Sequence, residues 1–206
     1  MSENKVISRS AFLRNTSEEM LKNRQVEFVI SSESVDTYRT VFKIDGWDLA
    51  RYEENNIVCY QHRANSDDPD DVIGTSEVFV ENNELIGRVT FEDAETNPKA
   101  EKVFRKVCNG TLKMASINAL ASEYRYGDTL KGEDKEVLYF TRQELMEWSI
   151  VSVGSNPDAL KRSEEAISAI RTELVENIEV VVEQPEFVEN KRTVLEAQLI
   201  INKNKY

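Results

Sequence analysis

The sequence predicts a mainly β domain with flanking helices (an α+β arrangement), followed by a helical C-terminal tail. Short runs of β-branched and aromatic residues, separated by turn residues, fill most of the chain, which is typical of strands and hairpins. All seven glycines lie between Gly46 and Gly154, whereas residues 155–206 have none, so a turn-rich part precedes a helical part. The tail also carries apolar residues at the spacing of an amphipathic helix: Ile167, Ile170, Leu174 and Ile178.

Residues 1–23 are interpreted as an N-terminal arm. Within it, "TSEEMLK" places Thr16 three residues before Glu19, a capping box that is typical of the start of a short helix. From Gln25 onward the pattern becomes that of strands, with the runs "QVEFVIS", "VFKI" and "IVCYQH". The last of these runs ends at His62, which is the only histidine in the chain.

The middle of the chain predicts a hairpin and then a helix. "DVIGTSEVFVENNELIGRVTFED" reads as two strands joined at Asn82-Asn83, because asparagine tolerates the positive φ angles of a tight turn. In "NPKAEKVFRKVCNG", Asn97 suits the N-cap, Pro98 the first helical position and Gly110 the position after the C-cap. The apolar residues of this helix recur at helical spacing: Ala100, Val103, Phe104 and Val107.

Two longer strand-like runs follow this helix, "LKMASINALASEYRY" and "EVLYFTRQELMEWSIVSV". The polar connection between them, "GDTLKGEDK", is long enough to be mobile. The predicted organisation is therefore an arm at 1–23, one domain at 24–160 and a helical tail at 161–206.

Composition excludes several classes of function. The chain has 26 basic and 38 acidic residues, a net charge of −12, so no basic surplus is present to displace counterions from nucleic acid. No apolar run approaches the roughly 18 residues needed to span a membrane, and the N-terminus lacks the apolar core of a secretory signal. We therefore expect a cytoplasmic protein that binds neither nucleic acid nor membranes.

Metal and cofactor sites are not expected either. Cys59 and Cys108, together with one histidine, match no zinc-binding spacing. The acidic loop "NSDDPDD" lacks the glycine and the closing glutamate of an EF-hand, so it is interpreted as a solvated loop.

Three residues are candidates for proton transfer or nucleophilic attack. His62 is either a surface histidine or a general base, since imidazole is the side chain best matched to proton transfer near neutral pH. Ser116 in "MASIN" follows the predicted helix and is either a structural serine or a nucleophile; it is not part of a G-x-S-x-G elbow. Cys59 is the rival nucleophile, but strand alternation would put positions 59 and 62 on opposite faces, so Cys59 is expected to face the core.

A carboxylate could orient the imidazole, and the candidates are Asp36, Glu144 and Glu147. Glu147 lies on an otherwise apolar strand, where a carboxylate is costly unless it is paired. The alternative is that Glu147 lies on a solvated face of the sheet.

Taken in order, these segments resemble the prohead protease family of tailed bacteriophages, whose fold is distantly similar to that of herpesvirus assemblins. The resemblance covers roughly residues 25–160. It follows the strand "NNIVCYQH", the hairpin "VIGTSEVFVENNELIGRVTF", the helix and strand "NPKAEKVFRKVCNGTLKMASINA" and the closing "ELMEWSIVSVGSNPDA". It implies a herpesvirus-protease-like β-barrel and a capsid-maturation serine protease, and it makes residues 24–160 the protease domain.

By position, the resemblance implies that His62 is the general base and Ser116 the nucleophile. Assemblins use a second histidine as the third member, and this chain has none, so a carboxylate is expected there. Glu147 occupies the acidic position of the family's "E-L-x-E-x-S" pattern, with Asp36 or Glu144 as the alternatives. Asn118 stands where the family commonly has glycine.

The resemblance also implies where and on what the enzyme acts. Its substrates would be segments of the phage major capsid protein and the scaffold, inside the immature capsid in the host cytoplasm, with no cofactor. Residues 161–206 would dock on the scaffold or be removed by self-cleavage, and self-association into a homo-oligomer is left open. The alternative function is a catalytically silent capsid-assembly or scaffolding protein with the same fold.

Overall fold

The structure is a computed structural model that describes residues 5–14, 17–36, 38–153 and 167–172, the first eight of these by their backbone alone. The chain divides into two units, Met1–Ala166 and Ile167–Tyr206. In the second unit, residues 167–172 are helical, as predicted for the start of the tail helix. Leu174, Ile178 and the predicted boundary at 160/161 lie outside the described residues.

Within the described part of the first unit there are nine strands and three α-helices. The helices are α1 (Glu18–Lys22), α2 (Ala50–Glu54) and α3 (Pro98–Cys108). The strands are β1 (Lys5–Leu13), β2 (Gln25–Ser32), β3 (Thr40–Phe42), β4 (Trp47–Asp48), β5 (Ile57–Tyr60), β6 (Val72–Glu81), β7 (Glu84–Phe91), β8 (Met114–Tyr126) and β9 (Leu138–Val151). None of the helices in the described residues is long and apolar enough to cross a membrane.

The nine described strands form one curled mixed sheet, which confirms the predicted mainly β fold. From β9 the pairing runs through β5, β6, β7, β2, β1 and β8 and then returns to β9. β9 is antiparallel to β8 and parallel to β3, β4 and β5, so it is the most extensively paired of these strands.

The hairpin and the central helix form as their local signals predict. The turn between β6 and β7 is made by Asn82 and Asn83, with φ angles of 51° and 61°. The side chain of Asn97 caps α3 by accepting a hydrogen bond of 2.9 Å from the backbone N–H of Ala100. Gly110, just past the C-cap of α3, has the left-handed φ of 69° for which glycine is suited.

The predicted N-terminal arm contains more structure than its sequence indicated. Residues 5–13 form β1, which pairs with both β2 and β8 and thereby joins the two sides of the sheet. The helix predicted there is α1, but its cap is Ser17, whose hydroxyl accepts a hydrogen bond of 3.2 Å from Met20 N. The predicted cap, Thr16, lies outside the described residues.

The connection between β8 and β9, predicted to be mobile, is tied to β8. The guanidinium of Arg125 binds both carboxylate oxygens of Glu133. This pairing lowers the pKa of Glu133 to about 2. Glu133 also accepts a hydrogen bond of 2.8 Å from the backbone N–H of Asp128, and Gly127 N donates to Val137 O at 3.0 Å, which holds the ends of the connection together.

Buried apolar side chains form one core cluster, in which Trp148 of β9 is fully buried; other members are Phe28, Val58, Ile117 and Ile150. Nε1 of Trp148 donates a hydrogen bond of 3.0 Å to the Ser76 hydroxyl, and its ring lies 5.8 Å from that of Phe28. A Cβ atom at Gly87 would come within 2.9 Å of the Trp148 ring, so glycine is required there by close packing. The direction of Trp148 fixes which residues of β9 point away from the core.

Candidate active site

Strand β9 carries two polar side chains on the face opposite the core. Trp148 and Ile150 belong to the core cluster. Because side chains alternate along a strand, Glu147 and Ser149 project from the other face. Glu147 is 8% exposed and Ser149 is fully buried, so both need hydrogen-bond partners within the protein.

The neighbouring strand β8 brings Ser116 and Asn118 to the same face. Ile117 between them is part of the core cluster. The register places Ser116 directly opposite Ser149 and Asn118 directly opposite Glu147. Side chains at directly opposite positions of an antiparallel pair are close neighbours, so these four polar residues form one cluster.

His62 reaches this cluster through a left-handed turn. Gln61 and His62 have φ angles of 60° and 57°, a conformation that is unfavourable for residues other than glycine. The turn is held by the end of β9 and the residue that follows it: Gln61 N donates to Ile150 O at 3.0 Å, and Gln61 Nε2 donates to Ser152 Oγ at 2.7 Å. His62 N donates to Ser149 Oγ at 3.2 Å. The predicted strand therefore ends two residues before His62.

Glu147 is the carboxylate that contacts the imidazole. Its Oε1 is hydrogen-bonded to Nδ1 of His62. The same oxygen accepts a hydrogen bond of 2.7 Å from Asn118 Nδ2, and Oε2 accepts one of 2.9 Å from the Ser149 hydroxyl. The buried carboxylate is thus fully paired.

These contacts assign the proton on the imidazole. An ionised carboxylate can only accept hydrogen bonds, so Nδ1 of His62 must be the donor to Glu147. In the neutral ring, Nε2 is then the basic nitrogen. It makes no hydrogen bond with any described residue, so its lone pair is available to receive a proton.

Ser116 lies in the cluster without a direct hydrogen bond to His62. Its side chain is 1% exposed, and its hydroxyl has no hydrogen-bond partner among the described residues. Ser149 stands between the two, because it is the cross-strand partner of Ser116 and also binds the backbone of His62. His62, Ser116 and Glu147 thus lie in one cluster. The hydrogen bond between His62 and Ser116 that a proton relay requires is not made in this structure.

The two alternative carboxylates are engaged elsewhere. Asp36 ties its own loop by accepting hydrogen bonds from Tyr38 N at 3.0 Å and from Thr40 N at 2.8 Å. Glu144 is 3.7 Å from the guanidinium of Arg51. Of the three candidates, Glu147 is the one placed to orient His62.

Cys59 is fully buried, as expected, but it lies on the same face as the polar cluster, so the expectation that positions 59 and 62 project from opposite faces was wrong. Cys59 pairs with Ser149 across β5 and β9, while its neighbour Val58 belongs to the core cluster. Alternation of side chains applies only within a strand, and β5 ends at Tyr60. It therefore does not predict the face to which the His62 side chain points. Burial, with the negative charge of Glu147, raises the pKa of Cys59 to about 12, which disfavours the reactive thiolate.

A thiol-labelling prediction follows for Cys59. The native protein at pH 8 or below should react with one equivalent of iodoacetamide per chain, at the exposed Cys108, because the Cys59 thiol is both buried and protonated. Cys59 should become reactive only after denaturation. A Cys108→Ser variant provides the control, since it should take up no label while folded. Mass-spectrometric mapping of label to Cys59 in the native protein would contradict this.

An open cavity of about 510 Å³ adjoins the His62 turn. The buried carboxylate of Asp71 at its edge pairs with Lys99 at 2.7 Å and with Arg63 at 3.4 Å. The cavity is lined by Tyr60, Gln61, Arg63, Asp71 and Lys99, so it is next to the residues on either side of His62. In the described part of the chain, no group of three His, Cys, Asp or Glu side chains is arranged to hold a metal ion.

Comparison with solved structures identifies a protein with a similar fold. That protein is gp21, the capsid assembly protease of bacteriophage T4. The TM-score is 0.50 at 12% sequence identity, and the match covers 73% of this chain and 99% of gp21. No protein-family model and no curated protein matches the sequence. At this identity the similarity to gp21 concerns the fold, and it agrees with the protease-like fold expected from the sequence.

The sequence did not reveal two members of the site, Ser149 and the side chain of Asn118 as a donor. Ser149 could have been found from alternation, because positions 147 and 149 share a face of the strand. The contact of Asn118 with Glu147 depends on the register between β8 and β9, which no local pattern fixes.

Proposed function

We propose that this chain is a serine endopeptidase that processes scaffold and capsid proteins during the maturation of a phage prohead. The observation that carries the proposal is the pairing of His62 with the buried Glu147 on the face that also holds Ser116. Fold similarity to a capsid assembly protease supports the same activity and substrate class. A net charge of −12 is compatible with protein partners rather than nucleic acid.

The proposed mechanism is acyl transfer to Ser116. The Ser116 hydroxyl attacks the peptide carbonyl as Nε2 of His62 removes its proton. The resulting imidazolium is stabilised by the negative charge of Glu147 on Nδ1, and it then gives its proton to the leaving amine. Water then attacks the acyl-enzyme as Nε2 of His62 removes a proton from it, and the imidazolium returns this proton to Ser116 Oγ as the acyl bond to Ser116 breaks. The relay requires His62 and Ser116 to approach within hydrogen-bond distance when substrate binds, as catalytic contacts often do.

Residues 161–206 are proposed to be a substrate of the same enzyme. The tail would dock on the scaffold during assembly and be removed by self-cleavage in the immature capsid. Mass spectrometry of mature, active particles is expected to show a chain that lacks this segment, and an intact C-terminus there would overturn this part of the proposal.

The test is co-expression with the cognate capsid and scaffold proteins. Wild-type chain should process them, and Ser116→Ala should not. Ser31→Ala is the matched control, because Ser31 is also a buried serine whose hydroxyl has no partner among the described residues, but it lies on β2 away from the cluster. Processing by Ser116→Ala would exclude Ser116 as the nucleophile.

The second candidate function, a silent assembly protein, is favoured by the buried hydroxyl of Ser116 and its missing hydrogen bond to His62. The same experiment separates the two candidates. Assembly that proceeds normally without any cleavage, in the wild type and in Ser116→Ala alike, would support the assembly protein and overturn the protease.

A further inference from the structure

The Ser149 hydroxyl uses both its donor and its acceptor capacity within the site. It donates to Glu147 Oε2 at 2.9 Å and accepts from His62 N at 3.2 Å. Ser149 itself is fully buried and paired on both sides, with Cys59 on β5 and Ser116 on β8. The Ser149 side chain therefore holds both the Glu147 carboxylate and the backbone of His62.

Asn118 holds the other oxygen of the same carboxylate. Its Nδ2 donates to Glu147 Oε1 at 2.7 Å and lies 3.4 Å from Nδ1 of His62. Because Nδ1 carries the proton that is given to Glu147, Asn118 cannot donate to that nitrogen, and its hydrogen bond goes to the carboxylate. Oε1 is thus held between the amide of Asn118 and the ring of His62.

Three donors on two oxygens restrict a side chain that would otherwise rotate. The terminal torsion of glutamate is soft, so the plane of a carboxylate is set by its hydrogen bonds. Without Ser149 and Asn118, Glu147 could rotate away from Nδ1, and His62 would lose one of the contacts that offset its left-handed backbone.

We propose that Ser149 and Asn118 are positioning residues that hold Glu147 on the Nδ1 edge of His62 and thereby keep Nε2 as the basic nitrogen of the ring. The inference rests on the proposed function of this site, because it names two further residues on which that activity depends. Neither residue touches the substrate in this scheme; both act through Glu147.

The test uses the fact that His62 is the only histidine in the chain. Its two ring nitrogens can be followed by 15N NMR without assignment, and their shifts report which of them carries the proton. The spectra are recorded at alkaline pH on the full chain in the Ser116→Ala background, in which self-cleavage is excluded. With Ser149 and Asn118 both present, His62 should show a single tautomer with the proton on Nδ1. Ser149→Ala and Asn118→Ala should each shift the population towards the mixture of a solvated imidazole.

Kinetic measurements supply the second readout, and for these the Ser149 and Asn118 variants are made in the chain that retains Ser116. Loss of an outer hydrogen-bond partner typically costs about 10- to 100-fold in activity, so kcat should fall by that factor in each variant. KM should stay within about twofold, because substrate contacts are unchanged. Ser149→Thr, which keeps a hydroxyl in place, should restore most of the loss, and Ser31→Ala should match the wild type in both readouts.

The inference is overturned if both alanine variants keep the Nδ1–H tautomer and the wild-type kcat. If Ser149→Ala does not fold, the half-buried Asn118→Ala decides the question alone. Failure of the proposed function has a different signature: the tautomer responds to the substitutions as described, while the wild-type chain cleaves no capsid or scaffold segment.

Discussion

Replacing His62 by alanine is expected to lower kcat for peptide hydrolysis by about 10⁴- to 10⁶-fold, the range seen when the base of a serine protease triad is removed. The reason is that the chain has no second imidazole to take the proton from Ser116. Stability should fall only modestly, because His62 lies outside the core cluster and Asn118 and Ser149 still donate to the buried Glu147 carboxylate. Initial rates on a peptide from the cognate scaffold, with denaturant unfolding in parallel, measure both quantities.

The matched pair for this experiment is Glu147→Gln and Glu144→Gln. Glutamine at 147 can present an amide donor to Nδ1 and favour the wrong tautomer, so kcat should fall by about 10⁴-fold. Glu144 lies on the same strand but contacts Arg51, so its variant should retain activity within about twofold. Equal activity in the two variants, or residual activity above one per cent in His62→Ala, would contradict the assignment of the base.

Replacing Trp148 by alanine is expected to lower the free energy of unfolding by about 3–5 kcal/mol, as for other large aromatic residues in a core. The indole is fully buried, packs on Phe28 and leaves the Ser76 hydroxyl without its donor when it is removed. Gly87 opposite the ring cannot fill the space, because it has no side chain. Urea unfolding followed by circular dichroism gives the difference.

Trp47→Ala is the control for this prediction. Trp47 is half-buried at the edge of the core, where it stacks on Phe42, so its removal should cost clearly less than that of Trp148. A loss below about 1 kcal/mol for Trp148→Ala would contradict the view that this residue anchors β9. Since Trp148 separates Glu147 from Ser149, we also expect its alanine variant to lose activity well below the unfolding transition.

Elements specified by neighbouring residues could be predicted from the sequence. The turn at Asn82-Asn83 and the helix between Asn97 and Gly110 depend on local backbone preferences, and both form as expected. The strand at residues 5–13 could not be predicted in this way, since its pairing with β8 joins residues more than a hundred positions apart. Its sequence has no feature that distinguishes a paired strand from an arm.

The candidate site shows the same division. Glu147 could be singled out because a carboxylate on an apolar strand demands a partner. The position of His62 could not be predicted from alternation, because tertiary hydrogen bonds from β9 hold Gln61 and His62 in a left-handed turn. The same turn explains why Cys59 and His62 were wrongly predicted to project from opposite faces.

The two halves of the site differ in how freely they can shift. Glu147 and Ser149 belong to a strand bonded to four neighbours, and displacing it would break hydrogen bonds along its whole length. His62 lies on the left-handed turn, whose backbone conformation is unfavourable and which is held by a few hydrogen bonds at one end of that strand. A movement that brings the His62 imidazole to the Ser116 hydroxyl is therefore expected to occur at the Gln61–His62 turn, while Glu147 and Ser149 on β9 stay in place.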